Sequence, residues 1–194
     1  MASHPTDSLG RTLPHPGWPS QRSAPGELEL VRRFCNTINR ENAADRLTDA
    51  AGVDAWLTSE GRSPLRVNDD ELVLLREFRE ALHQLTLANV AGGSPADWGR
   101  VADLASQVVF DVSRARPAIR PVGPTPVLAF VGELVAIVVD AHRTGDWARL
   151  KPCDRCRWTV YDASKNRSSR WCSVKACGGR QHARDYRARR RSDG

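Results

Sequence analysis

No apolar run in this chain is long enough to cross a bilayer. The longest, Val127 to Val139, falls short of the ~20 residues a spanning helix needs and carries Glu133, so no membrane partner is expected. Residues 1–26 lack the apolar stretch of a secretion signal, which makes the cytoplasm the expected compartment. The chain has no internal repeat, no glycine-rich phosphate loop and no HExxH. Residues 27–149 pair no obvious nucleophile with a base. Their only histidines are His83 and His142, each in a helical stretch where packing or solvation accounts for it. These absences argue against an enzyme. No array of aromatic residues suits stacking on single-stranded RNA. Cysteine is scarce too: there are five, and four fall after residue 152. Cys35 stands apart and reads as a small buried residue on a helix.

What the chain does have is unevenly distributed. Its 194 residues, 40% hydrophobic and 27% charged, suffice for one medium and one small domain. The net charge of +6 hides an asymmetry. From Leu150 onward thirteen Lys/Arg face four Asp/Glu, whereas residues 1–149 are slightly acidic. Only the C-terminal part is therefore expected to meet a polyanion.

Residues 1–26 hold five of the twelve prolines and show no apolar periodicity, which predicts a disordered tail. Leu28, Val31, Phe34, Cys35 and Ile38 form a helical stripe over 27–39, and V-D-A-W-L-T-S at 53–59 reads as a short helix. Asn68 with Glu71 makes a capping-box pattern ahead of Leu72, Leu75, Phe78, Leu82 and Leu85, on a helix that Gly92-Gly93 would stop. A further helix fits 96–106. The β-branched stretches 108–112 and 118–122 predict a hairpin. Pro126 suits the first turn of an apolar, central helix running to about His142.

Cys153 and Cys156, spaced as C-x2-C, are followed after fifteen residues by Cys172 and Cys177, spaced as C-x4-C. Two thiol pairs at this spacing supply the four corners of a tetrahedral metal site. Zn2+ suits four thiolates and needs no open position when structural; an iron–sulfur cluster, free thiols or disulfides are the alternatives. With all four positions taken, hydrolytic chemistry at the metal is disfavoured. Trp158–Tyr161 is strand-like, Ser164–Arg167 turn-like, and Arg170-Trp171 leads back to Cys172, so a hairpin with a basic tip is expected between the cysteine pairs. Metal binding supplies stability that so small a unit lacks.

After Gly178-Gly179 comes R-Q-H-A-R-D-Y-R-A-R-R-R. On a helix, Arg180, Arg184, Arg187 and Arg191 fall within about 60° of one another, and Tyr186 falls on the other side, where it could pack on the metal unit. Like charges at this spacing repel, so an anion facing the stripe would justify it. A solvated basic tail is the plain alternative. The helix fits a DNA major groove, where Arg recognises guanine. Double-stranded DNA is the expected partner, contacted by Arg180, Arg184, Arg187 and Arg191, with Lys165, Arg167 and Arg170 as a second set. His182 is expected at the surface or in packing rather than on the metal.

The stretches C-D-R-C-R-W (153–158), Y-D-A-S-K-N-R-S-S-R-W-C-S (161–173) and C-G-G-R (177–180) resemble the bacterial CGNR-type zinc fingers. L-V-R-R-F-C-N-T-I-N (30–39), A-W-L and L-R-E-F-R-E-A-L resemble the helical ABATE domain that precedes them in that family. Gly179 stands where the family signature has Asn. The resemblance spans roughly residues 27–191 and implies a stress-induced transcription regulator whose ABATE-like domain senses a ligand or dimerises. The fold class expected is mainly α (α+β). A multihelical N-terminal domain with a small β-hairpin (27–149) precedes a treble-clef-like, four-cysteine zinc finger with a basic C-terminal helix (150–191). The effector ligand and its site are not legible. Major-groove readers often act as homodimers, but no residue identifies a dimer face. The rival reading is a protein-interaction module that contacts RNA polymerase.

Overall fold

A computed structural model describes residues 23–91, 98–112 and 119–192. The described residues are mainly helical, with three two-stranded antiparallel sheets. Its elements run α1 (Leu28–Cys35), β1 (Ile38–Asn39), β2 (Ala44–Asp45), α2 (Ala50–Ser59), α3 (Asp69–Ala91), α4 (Gly99–Leu104), β3 (Val109–Val112), β4 (Ile119–Val122), α5 (Pro126–Thr144), β5 (Leu150–Pro152), β6 (Thr159–Tyr161) and α6 (Gly179–Ser192). A 3-10 turn, Trp147–Arg149, precedes β5, and a π-helical turn, Val174–Gly178, precedes α6.

Local chemistry sets the helix boundaries. The Asn68 carboxamide accepts from the Glu71 N–H at 2.9 Å, and the Glu71 carboxylate accepts from the Asn68 N–H at 3.1 Å. The capping box read from the sequence therefore forms. Asp49 caps α2 by accepting from Gly52 N–H at 2.8 Å. Thr125 caps α5, Pro126 fills its first turn, and Gly145 ends it at φ +81°, a conformation glycine adopts without a Cβ penalty.

Some boundaries differ from expectation. Helix α1 stops at Cys35, and Ile38 begins a strand instead of extending the helical stripe. Helix α4 is shorter than 96–106; residues 92–97, with the Gly92-Gly93 stop, lie outside the described residues. The hairpin forms as β3–β4, with Val109 opposite Val122. Residues 1–22 of the expected tail also lie outside the described residues. Ala24 is buried, and its N–H donates to Glu29 Oε2 at 2.8 Å.

The main core lies between α1, α2, α3 and α5. Phe34 is fully buried among Trp56, Phe78 and Phe130, with ring centroids 5.5, 6.4 and 6.0 Å away. Leu75, Leu82 and Leu85 of α3 and Val127, Val131 and Leu134 of α5 surround them. Cys35 is buried here, and burial pushes its thiol up to about 12. Leu150 of β5 belongs to this core, and Tyr161 of β6 packs against it. The same hairpin therefore reaches from the helical core to the cysteines.

A second cluster, distinct from the first, consists of Cys153, Cys156, Trp158, Val160, Cys172 and Cys177, with Trp171 packed against it. Among the described residues no helix is long and apolar enough to cross a membrane.

Candidate metal centre and basic helix

Hairpin β5–β6 builds the first half of the centre. Leu150 pairs with Tyr161 and Pro152 with Thr159, so the C-D-R-C turn falls at the hairpin's end. Cys153 N–H donates to Trp158 O at 2.8 Å, and Arg157 N–H to Cys153 O at 3.0 Å. Arg157 closes the turn at φ +62°, in the left-handed region that costs a non-glycine residue energy. This corrects the expected hairpin: the strand paired with 159–161 comes before the first cysteine, not between the two pairs. Residues 170–171 do return to the centre, where Arg170 O accepts from Asp154 N–H at 3.0 Å.

The loop between the pairs is organised around Asp162, which is fully buried. Its carboxylate accepts from Lys151 Nζ at 2.7 Å, Ser164 N–H at 3.0 Å and Ser169 N–H at 2.9 Å. Burial alone would raise this carboxyl, but the Lys151 ammonium and the Ser164 and Ser169 donors hold it well below the usual carboxylate range. Lys165 and Arg167 are exposed at the loop's tip.

The second pair comes from the start of the helix. Cys172 precedes the π-helical turn and Cys177 lies within it, its N–H donating to Ser173 O at 3.0 Å. A Cβ added at Gly178 would meet the Trp171 ring at 3.1 Å, so glycine lets that indole close over the centre. At Gly179 a Cβ would meet only Val174 O, at 3.8 Å, an ordinary contact. The Cβ of an Asn at this position, as in the CGNR signature, meets no clash there.

All four sulfurs are buried and lie within 4.8 Å of one another. Cys156 and Cys172 Sγ are 3.6 Å apart, Cys172 and Cys177 Sγ 3.4 Å. A disulfide would need about 2.05 Å, whereas four thiolates at about 2.3 Å from one ion stand roughly 3.8 Å apart. The donor set fits a metal. Hydrogen bonding from its neighbours drives the Cys153 thiol far down, while the same crowding, with burial, pushes Cys156 and Cys172 up. A divalent cation resolves this competition by taking all four as thiolates.

Helix α6 starts directly from the centre. Arg180 donates to Cys177 Sγ at 3.5 Å and lies 3.5 Å from the Glu41 carboxylate. Beyond Gln181 the described side chains of the helix face solvent: His182, Arg184, Tyr186, Arg187, Arg189 and Arg190 are exposed. Tyr186 does not pack on the metal unit. It is 56% exposed, and the Arg190 guanidinium lies over its ring at 5.7 Å. Arg191 continues the helix.

The arginines expected to act together fall into two groups. Arg184 and Arg187 are presented outward, whereas Arg170 is held by Asp154 at 2.7 Å and stacked over Trp171, and Arg180 is tied to the centre. Two links to the helical body were missed. Arg155 lies 3.6 Å from Glu41. Asn36 exchanges a pair of hydrogen bonds with Thr159, its Nδ2 donating to Thr159 O and its Oδ1 accepting from Thr159 N–H, both at 2.8 Å. The side-chain amide of Asn36, at the end of α1, thus stands in for a neighbouring strand. His83 reaches the same residue, Nδ1 to Oγ1 at 3.3 Å, and burial pushes its imidazole down to about 3.

Two family models match the chain. ABATE, described as "putative stress-induced transcription regulator", matches residues 28–159, and the CGNR zinc finger matches residues 149–190. No curated protein matched the chain.

Proposed function

Because the chain belongs to the ABATE family and ends in a CGNR zinc finger, we propose that it is a transcription regulator that binds double-stranded DNA through α6. The ion is Zn2+, held by Cys153, Cys156, Cys172 and Cys177. It supplies folding stability and no reaction, since four thiolates leave no position for water or substrate. The regulator assignment and the filled ligand sphere both favour a non-enzyme. Residues 27–149 form the regulatory domain and 150–191 the DNA-binding domain.

One observation carries this reading: an arginine-rich helix grows out of the metal centre and exposes its described arginines beyond Arg180 to solvent. Its fourteen residues extend about 21 Å. Among the described residues no apolar packing holds its distal turns, and its like charges repel. A duplex groove offers such a helix both space and phosphates. Arg184, Arg187 and Arg191 make the principal contacts, with Lys165 and Arg167 from the loop. Arg170 and Arg180 reach the same surface from their ion pairs. Ligand sensing has a candidate place in the helical body. A cavity of about 730 Å³ is lined by Leu57, Leu65 and Phe130, with the Arg62–Glu133 ion pair on its wall.

A titration with labelled duplex DNA at increasing salt tests the reading. Neutralising about six phosphates gives a log–log slope near −5. A flat response rejects it. Binding to RNA polymerase instead would appear as a pull-down that survives nuclease treatment.

A further inference from the structure

We infer that Arg155 and Arg180 form a binding site for one phosphate of a nucleic-acid backbone, which Glu41 closes in the free protein. The inference rests on the DNA-binding reading and adds a place and a competitor to it.

Glu41 lies in the turn between β1 and β2, where its N–H donates to Asn39 Oδ1 at 3.0 Å. Its Oε1 is 3.6 Å from Arg155 and 3.5 Å from Arg180. One of these arginines lies between the first two cysteines; the other opens α6. Together they form a two-pronged anion site on the metal unit, and a carboxylate of the helical body lies in it. Both separations exceed hydrogen-bond length, so these two contacts are mainly Coulombic and readily exchanged.

Solvent reaches the site: the Glu41, Arg155 and Arg180 side chains are 26%, 20% and 40% exposed. A phosphate matches guanidinium geometry as a carboxylate does, with more acceptor oxygens. The exposed Arg184 follows Arg180 by one helical turn, so a backbone entering this site continues along the arginine stripe.

The test uses the full-length, zinc-loaded protein and a fluorescent duplex of about 20 base pairs, long enough to span the site and the stripe. Replacing Glu41 removes the competing charge, so E41Q binds about fivefold tighter and its salt slope steepens by about one. Adding R155Q abolishes most of that gain. D140N, which removes an exposed carboxylate elsewhere on the helical body, serves as the control for net charge. Melting temperature and zinc content of each variant establish that the fold is intact. Unchanged or weaker binding by E41Q overturns the inference, as does a gain no larger than that of D140N or one that persists with R155Q. In those cases wild-type binding and its salt slope remain, and the DNA reading survives. Absence of salt-dependent binding by the wild type removes both.

Discussion

Phe34 is buried among three other aromatic rings, whereas Trp158 and Trp171, the largest apolar side chains of the metal unit, only border four sulfurs. The helical body excludes water with side chains of high apolar volume. The metal unit is too small to do so and depends on sulfur–metal bonds, one buried aspartate and the hairpin it shares with the body. The difference shows where each region is vulnerable: the first to lost volume, the second to lost charge or metal.

Chelation tests this contrast hardest. Removing an ion that contributes on the order of 10–16 kcal/mol unfolds residues 153–192 and leaves α1–α5 folded. Circular dichroism and a protease map measure both outcomes. Simultaneous collapse would show that the body also relies on the ion. The converse is Phe34→Ala, which costs about 3–5 kcal/mol. It lowers the melting temperature, while zinc stoichiometry at saturating metal stays at one.

Asn36→Ala acts between the two regions. It deprives the Thr159 N–H and C=O of their amide partner and costs about 2–3 kcal/mol. Hydrogen exchange would show this as loosening of β6 ahead of α3. Acid gives a graded effect, smaller than that of Asn36→Ala only above about pH 5. His83 has a folded value near 3 and an unfolded value near 6.5, so below pH 6.5 the unfolded chain takes up a proton that the fold refuses. Stability is full above pH 6.5 and falls by up to about 1.4 kcal/mol per pH unit down to pH 3. His83→Gln flattens that slope in urea melts taken across the range. The smallest energetic change is Arg184→Ala with Arg187→Ala. It leaves stability unchanged, weakens DNA binding at least tenfold and lowers the salt slope by about two. Unaltered binding would assign the stripe no role in contact.

Local signals were legible where one segment of chain contained both partners. Asn68 and Glu71 are three residues apart, Pro126 lies in the first turn of the helix it starts, and the cysteine spacing announces its own geometry. What escaped the sequence lies between distant segments. Asn36 and Thr159 are separated by 123 positions, and nothing near either identifies the other. The sequence points to the loop that follows strand 159–161 as its partner, because that loop returns to the metal. Leu150–Pro152 is equally short and precedes the cysteines. The arginines looked equivalent by helical angle. They divide when the Cys177 sulfur and Glu41, from another element, claim Arg180. Tyr186 was expected against the metal unit, but it is among the solvent-facing side chains of its helix.

Leu150 and Cys153 stand three residues apart on one hairpin, the first in the aromatic-lined interior and the second in the sulfur cage. Occupancy of the cage and order in the interior are therefore thermodynamically linked. A small molecule that stiffens the helices around β5 would tighten the grip on zinc by the same factor by which zinc tightens the grip on that molecule. Metal supply and effector would then act on one balance, with the arginine helix as its pointer.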